Sequence, residues 1–164
     1  MAYNWRSTLG DYAQTAGVLA GFCFALIVLV FSQNVGSASL YGMVTIGQLS
    51  VMILGLASVL YIAAMGFFLS AKAYDFWSLP DKYYSFLEKN LHNWTANQAT
   101  WNETCRAYEK AGRWAYNISM TLLFLGLALI TSSYNFTLAV LIFALGICLE
   151  FAQLVVPVIQ RLSR

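Results

Sequence analysis

The placement of charge constrains this chain more than any other feature. No Asp, Glu, Lys or Arg occurs over residues 12–71 or over residues 114–149. The chain holds nine basic and seven acidic residues, and eleven of these charges fall within residues 72–113. A bilayer crossing needs about 20 apolar residues, so uncharged runs of 60 and 36 residues each have room for two. Composition agrees, with 60% hydrophobic and 10% charged residues and a mean hydropathy of +0.64. A soluble domain carries about 25% charged residues, and its surface cannot be assembled from this chain. A disordered chain, a secreted disulfide scaffold and a soluble enzyme are disfavoured at the outset.

Polar and turn-forming residues divide the two runs, the first at Ser32-Gln33-Asn34 and Gly36-Ser37-Ala38-Ser39, the second at Thr131-Ser132-Ser133-Tyr134-Asn135. Spans are therefore expected at about 12–31, 45–70, 114–134 and 136–156, in a single membrane domain over 1–164 with a cytosolic helical segment at 72–113. Lipid offers no partner to a backbone amide, which selects helices. The expected fold class is all-α, an integral membrane four-helix protein with cytosolic helical extensions. Every basic residue lies in the tails or in segment 72–113, and neither short connection holds one. The positive-inside rule then puts both termini and the central segment in the cytoplasm of a multi-pass cell-membrane protein. Arg6, the apolar run 18–31 and Gly36-Ser37-Ala38 have the layout of a signal peptide, but Asp11 and the length of the run weigh against cleavage.

Segment 72–113 has its own pattern. After Ser78-Leu79-Pro80, a helix-entry signal, no Pro or Gly occurs until Gly112, so a helix is expected from Asp81 straight into the third span. Leu87, Leu91, Trp94, Trp101, Cys105, Tyr108 and Ala115 recur at threes, fours and sevens, with Gln98 and Gly112 filling the stripe. Such a seam either assembles subunits or packs on the inner extension of the second span, around Tyr74, Phe76 and Trp77. The second reading is favoured.

Little points to chemistry. Cys23, Cys105 and Cys148 are widely spaced with none in an outer loop, which disfavours a disulfide framework. His92 stands alone, so no metal site is expected. Sequons at Asn93, Asn102, Asn117 and Asn135 are cytosolic, within a span or too close to the bilayer, and read as accidents. No phosphate loop, nucleophile elbow or paired-carboxylate motif is present. Neither an enzyme nor a cofactor is expected, and nucleic acid is not an expected partner. The one charge inside a span is Glu150, seven residues before Pro157; its place invites either a functional role or an ion pair with Arg113 or Lys72. Pro157 is expected to kink the fourth helix or end its membrane part.

The first span is the most informative. Ala13, Gly17, Gly21 and Ala25 recur every fourth position, a stripe that lets helices approach closely in lipid. Periodicity alone favours ordinary packing within the subunit. An adjoining face carries Gln14, Val18, Gly21, Phe22, Ala25, Leu29, Ser32 and Gln33. Copies of this helix about a symmetry axis would line a narrow pore with a hydrophobic throat and polar mouths.

The run Leu19-Ala20-Gly21-Phe22-Cys23, followed by Val28, resembles the first transmembrane helix of Orai channels, whose pattern reads Leu-Ser-Gly-Phe-Ala before a pore-lining stretch. The layout of four spans, cytosolic termini and short outer loops is similar as well. The resemblance implies a homo-oligomeric channel in the lipid bilayer, with Val18, Phe22 and Ala25 as the throat, Gly21 as a gating hinge and Leu29 at the outer filter position. The family has a glutamate at that position and a basic inner-pore residue where this chain has Gln14, although Arg6 matches a basic position farther in. An apolar Leu29 cannot replace the hydration shell of calcium, so a monovalent cation is the expected permeant ion. The competing reading is a nonconducting membrane scaffold or accessory subunit that holds a partner through Trp94, Trp101 and Tyr108.

Overall fold

The computed structural model describes residues 8–33, 39–40, 44–73 and 94–162, with side chains at all of these positions except 39–40, 94–99, 149–150, 152–154 and 156–162. Four helices dominate: α1 is Leu9–Ser32, α2 Ile46–Ala73, α3 Trp94–Ser132 and α4 Phe136–Leu162. Between α1 and α2 lies a small antiparallel ribbon, β1 (Ser39–Leu40) against β2 (Val44–Thr45), with Ser39 opposite Thr45 and Leu40 opposite Val44. The turn-forming composition of this stretch announces the reversal but not the ribbon.

Leu9–Ser32, Ile46–Ala73 and Thr100–Ser132 are long and apolar enough to cross a bilayer, and Phe136–Cys148 adds a shorter apolar segment of α4. The chain is thus an all-α membrane protein. The helices outrun the expected spans in an informative way. At about 1.5 Å per residue α2 is about 42 Å long and α3 about 58 Å, against a hydrocarbon core of about 30 Å. The surplus of α2 requires tilt or protrusion. That of α3 shows the third span and the seam before it to be one continuous helix from Trp94; the expected start at Asp81 lies outside the described residues. Helix α4 continues through position 157 to Leu162, so Pro157 does not end it.

Two helix starts are fixed by side chains. Thr45 and Gln48 form a reciprocal capping box: the Gln48 amide donates to Thr45 Oγ1 at 3.1 Å and the Thr45 amide to Gln48 Oε1 at 3.0 Å. Asn135 caps α4 by accepting from the Leu138 amide at 3.2 Å, which gives this sequon a structural role.

The helices pack in sequence order. Helix α2 lies between α1 and α3, while α4 packs against α3 and makes no substantial contact with α1 or α2. Neighbours are antiparallel: Tyr12 and Ala20 of α1 lie beside Phe68 and Ser58 of α2, and Ala71 and Tyr61 of α2 beside Cys105 and Met120 of α3. On α1 the packed face is Leu9, Ala13, Ala16, Ala20 and Cys23, buried in one core with Leu54, Ala57, Tyr61, Ala64, Phe68 and Ala71 of α2. Small side chains on both helices bring the backbones close enough for Ser58 Oγ to donate to the Ala20 carbonyl at 3.4 Å. Between α2 and α3, the Tyr61 hydroxyl donates to Met120 Sδ at 3.3 Å and Cys105 Sγ to the Ala71 carbonyl at 3.2 Å. Buried or half-buried Ser50, Ser119 and Thr131 return their hydroxyls to carbonyls four residues back, so they enter an apolar helix without an unmet hydrogen bond.

Candidate functional site

The sequence singled out one face of α1, and the structure places all eight of its residues on the open side of that helix. Gln14, Val18, Gly21, Phe22, Ala25, Leu29, Ser32 and Gln33 are all exposed. Val18 is 68% exposed, Phe22 47% and Leu29 46%. At about 100° per residue their directions centre on the side of α1 opposite to that of Ala13, Ala16, Ala20 and Cys23. Helix α1 therefore has two faces of different character: one small and packed on α2, the other largely apolar, exposed and without a neighbour among the described residues.

The open face is graded along its length. Gln14 stands near its N-terminal end and Ser32 and Gln33 at its C-terminal end, about 28 Å from Gln14 to Gln33. The residues between them are Val18, Gly21, Phe22, Ala25 and Leu29, and no charge falls within this stretch. Ser32 Oγ donates to the Leu29 carbonyl at 3.1 Å, and the Gln33 amide closes the helix on the same carbonyl at 3.0 Å. The Gln14 and Gln33 side-chain amides, at opposite ends, offer neutral oxygen and nitrogen groups and no carboxylate. Such a face can wet its ends and exclude water from its middle; its nearest carboxylate is the exposed Asp11, one turn before Gln14.

The stripe of small residues at every fourth position divides between the two faces. Ala13 is buried and Gly17 half-buried, with Met65 Sδ 3.2 Å from where a Cβ at Gly17 would stand. Gly21 and Ala25 are exposed, and a Cβ at Gly21 would meet nothing within 4 Å. The stripe that packs is Ala13, Ala16, Ala20 and Cys23, at spacings of three, four and three, a pattern as visible in the sequence as the one of fours.

The seam on α3 is used within the subunit. Cys105 and Ala115 are buried, Tyr108 lies with its ring centroid 6.4 Å from that of Phe67, and Gly112 sits beneath Phe68, whose ring a Cβ there would meet at 2.9 Å. The partner surface is Phe67, Phe68 and Ala71 of α2; Tyr74, Phe76 and Trp77, together with Leu87, Leu91 and His92, lie outside the described residues, as do the side chains of Trp94 and Gln98. Near the N-terminal end of α1 an aromatic group ties three helices together: Tyr12 stacks on Phe68 at 5.5 Å and meets Tyr116 edge-on at 6.4 Å, while Tyr61 meets Tyr116 at 5.6 Å. The side chain of Glu150 lies outside the described residues. Among the described residues no three His, Cys, Asp or Glu side chains are grouped to hold a metal ion.

Fold and site together define a class, an all-α membrane protein whose first helix presents an unpartnered apolar face bounded by side-chain amides. Comparison with protein-family models, with curated proteins and with solved structures finds no match.

Proposed function

We propose that the chain is the subunit of a homo-oligomeric ion channel in which copies of α1 surround a central axis. The observation that carries this reading is the two-sidedness of α1. Ala13, Ala16, Ala20 and Cys23 are packed on α2, and the eight residues of the pore-like face are left open with polar groups at both ends. Lipid alone would accept the apolar middle of this face. Val18, Phe22, Ala25 and Leu29 form the throat, and Gln14, Ser32 and Gln33 the mouths. The resemblance of residues 19–23 to Orai channels supports the same arrangement. With no carboxylate on the face between Gln14 and Gln33, and Asp11 one turn before Gln14 as its nearest acid, the permeant ion is a monovalent cation and calcium selectivity is weak. Both termini and segment 72–113 are cytoplasmic in this reading, supported by the distribution of basic residues in the sequence.

A liposome flux assay tests it. The reconstituted full chain is expected to pass potassium or sodium, with a larger flux for Phe22→Ala and Leu29→Ser. If neither the natural chain nor the widened variants pass any ion, the proposal fails. Of the three aromatics in the scaffold reading, Tyr108 is engaged by Phe67 of α2, and the side chain of Trp94 lies outside the described residues.

A further inference from the structure

A second surface, independent of the pore-like face, lies on α3. Arg106, Lys110 and Arg113 are all exposed, and at about 100° per residue they fall with Trp114 on one face, turned away from the α2-facing residues Cys105, Tyr108, Gly112 and Ala115. Trp114 is 68% exposed. At the far end of the same apolar stretch stands Tyr134, 73% exposed. The two are twenty positions apart, or about 30 Å, the thickness of a hydrocarbon core, and exposed Trp and Tyr mark its two edges.

This ruler fixes the depth of the basic residues. Arg113 lies at the edge of the hydrocarbon, Lys110 about 6 Å beyond it and Arg106 about 12 Å beyond. A headgroup layer is about 5 to 8 Å deep, so Arg113 and Lys110 stand within it and the long Arg106 side chain reaches back to it. Glu109, on the flank of this face, is bound to Arg113 at 2.6 Å. Among the described residues neither Arg106 nor Lys110 has an ion pair, and Lys72 is turned away towards α1, with its Nζ beside Gly10. Two cations without an ion pair among the described residues and a third shared with Glu109 thus face the headgroups beside an interfacial Trp, while the exposed Glu103 stands on the same face one turn farther out.

We propose that Arg106, Lys110 and Arg113 form a docking strip for the headgroup phosphate of an acidic phospholipid in the leaflet that adjoins Trp114. Charge selects the occupant, and depth selects a lipid over a soluble anion. Each basic residue at an anionic surface contributes about a fivefold preference.

The test is native mass spectrometry of the full chain released from nanodiscs of equal phosphatidylglycerol and phosphatidylcholine. The natural chain is expected to retain phosphatidylglycerol at least fivefold over phosphatidylcholine, and the triple variant R106Q/K110Q/R113Q to retain the two equally. Lys110→Gln alone, which removes a solvent-facing charge and no packing contact, is expected to lower the preference about fivefold and stands in if the triple variant does not fold. Lys110→Arg is expected to preserve it. Inorganic phosphate at millimolar concentration is expected to leave the retained lipid unchanged. No preference in the natural chain, or the same preference in the variants, overturns the proposal. Displacement of the lipid by inorganic phosphate assigns the strip to free anions, and capture of polyglutamate without lipid preference assigns it to an acidic protein; either also overturns it. Ion flux is not read in this experiment, so its outcome is separate from that of the channel.

Discussion

Two glycines show how much local surroundings decide. A Cβ at Gly146 on α4 would stand 2.5 Å from the Phe124 ring of α3, whereas one at Gly21 on α1 would meet nothing within 4 Å. The absence of a side chain at Gly146 is what lets α4 approach α3, and α4 has no other substantial neighbour to hold it. Gly146→Ala is therefore expected to destabilise the subunit by about 1 to 3 kcal/mol, the usual cost of overpacking. Gly21→Ala is expected to leave the isolated subunit unharmed or to stabilise its helix by up to about 1 kcal/mol. Unfolding in mixed detergent, followed by circular dichroism, measures both. Equal stability of the two variants would show that α4 does not rest on Gly146. The buried Tyr61 makes a related point. Its hydroxyl donates to Met120 Sδ at the centre of the α1–α2–α3 packing, and Tyr61→Phe keeps the ring while removing that group. Interhelical hydrogen bonds in membranes are worth about 0.6 kcal/mol on average, so a loss of that order is expected, far below the cost of removing the ring.

At the scale of elements, the helices begin where side chains make them begin. Thr45 and Gln48 satisfy each other's backbone amides at the start of α2, and Asn135 does the same for Leu138 in α4. Thr45→Ala is expected to cost about 1 kcal/mol and to fray the first turn of α2, seen as faster hydrogen exchange at residues 46–49. Unchanged exchange there would mean that the β1–β2 ribbon alone holds the entry. The sequence marks residue 45 as a span start and Asn135 as a turn residue, and the capping bonds of both come from the structure. The gaps in charge made the four helices legible because an uncharged run of 60 or 36 residues has few alternatives in water or in lipid. The packed face of α1 was not legible in the same way. In a helix that is apolar on every side, the two stripes of small residues carry no polar contrast to separate them. Burial of Ala16 and Ala20 in place of Gly21 and Ala25 is decided by the opposing surface on α2, where Ala57, Ser58 and Ala64 leave room. The seam on α3 was legible because it alternates with charged residues, and its packing on α2 follows from that contrast.

For the whole molecule, the decisive feature is that the four helices form a row and not a closed bundle. Helix α1 has α2 on one side and α4 has α3 on one side, so each end of the row keeps an open apolar flank. In a ring of copies, one flank faces the axis and the other the lipid, and equivalent residues approach one another most closely at the axis. A disulfide needs Cβ atoms about 3.5 to 4.5 Å apart, which makes oxidation a measure of that approach. Cys23 and Cys105 are buried and Cys148 is exposed, so replacing Cys148 by Ser gives a background in which a new exposed thiol can be followed. In that background, Val18→Cys and Phe22→Cys are expected to form covalent dimers on mild oxidation in the membrane. Ala16→Cys, on the packed face, and Leu145→Cys, on the open flank of α4, are expected to stay monomeric. One cysteine per subunit joins only two copies, so the readout is the fraction of dimer on a denaturing gel. Dimers from Leu145→Cys with none from Val18→Cys would place α4 at the axis and remove α1 from the pore. With α1 at the axis the pore walls are the residues whose exposure has no other use in the subunit, and Gly21, open in one copy, becomes the position where an added methyl group narrows the channel without disturbing the fold.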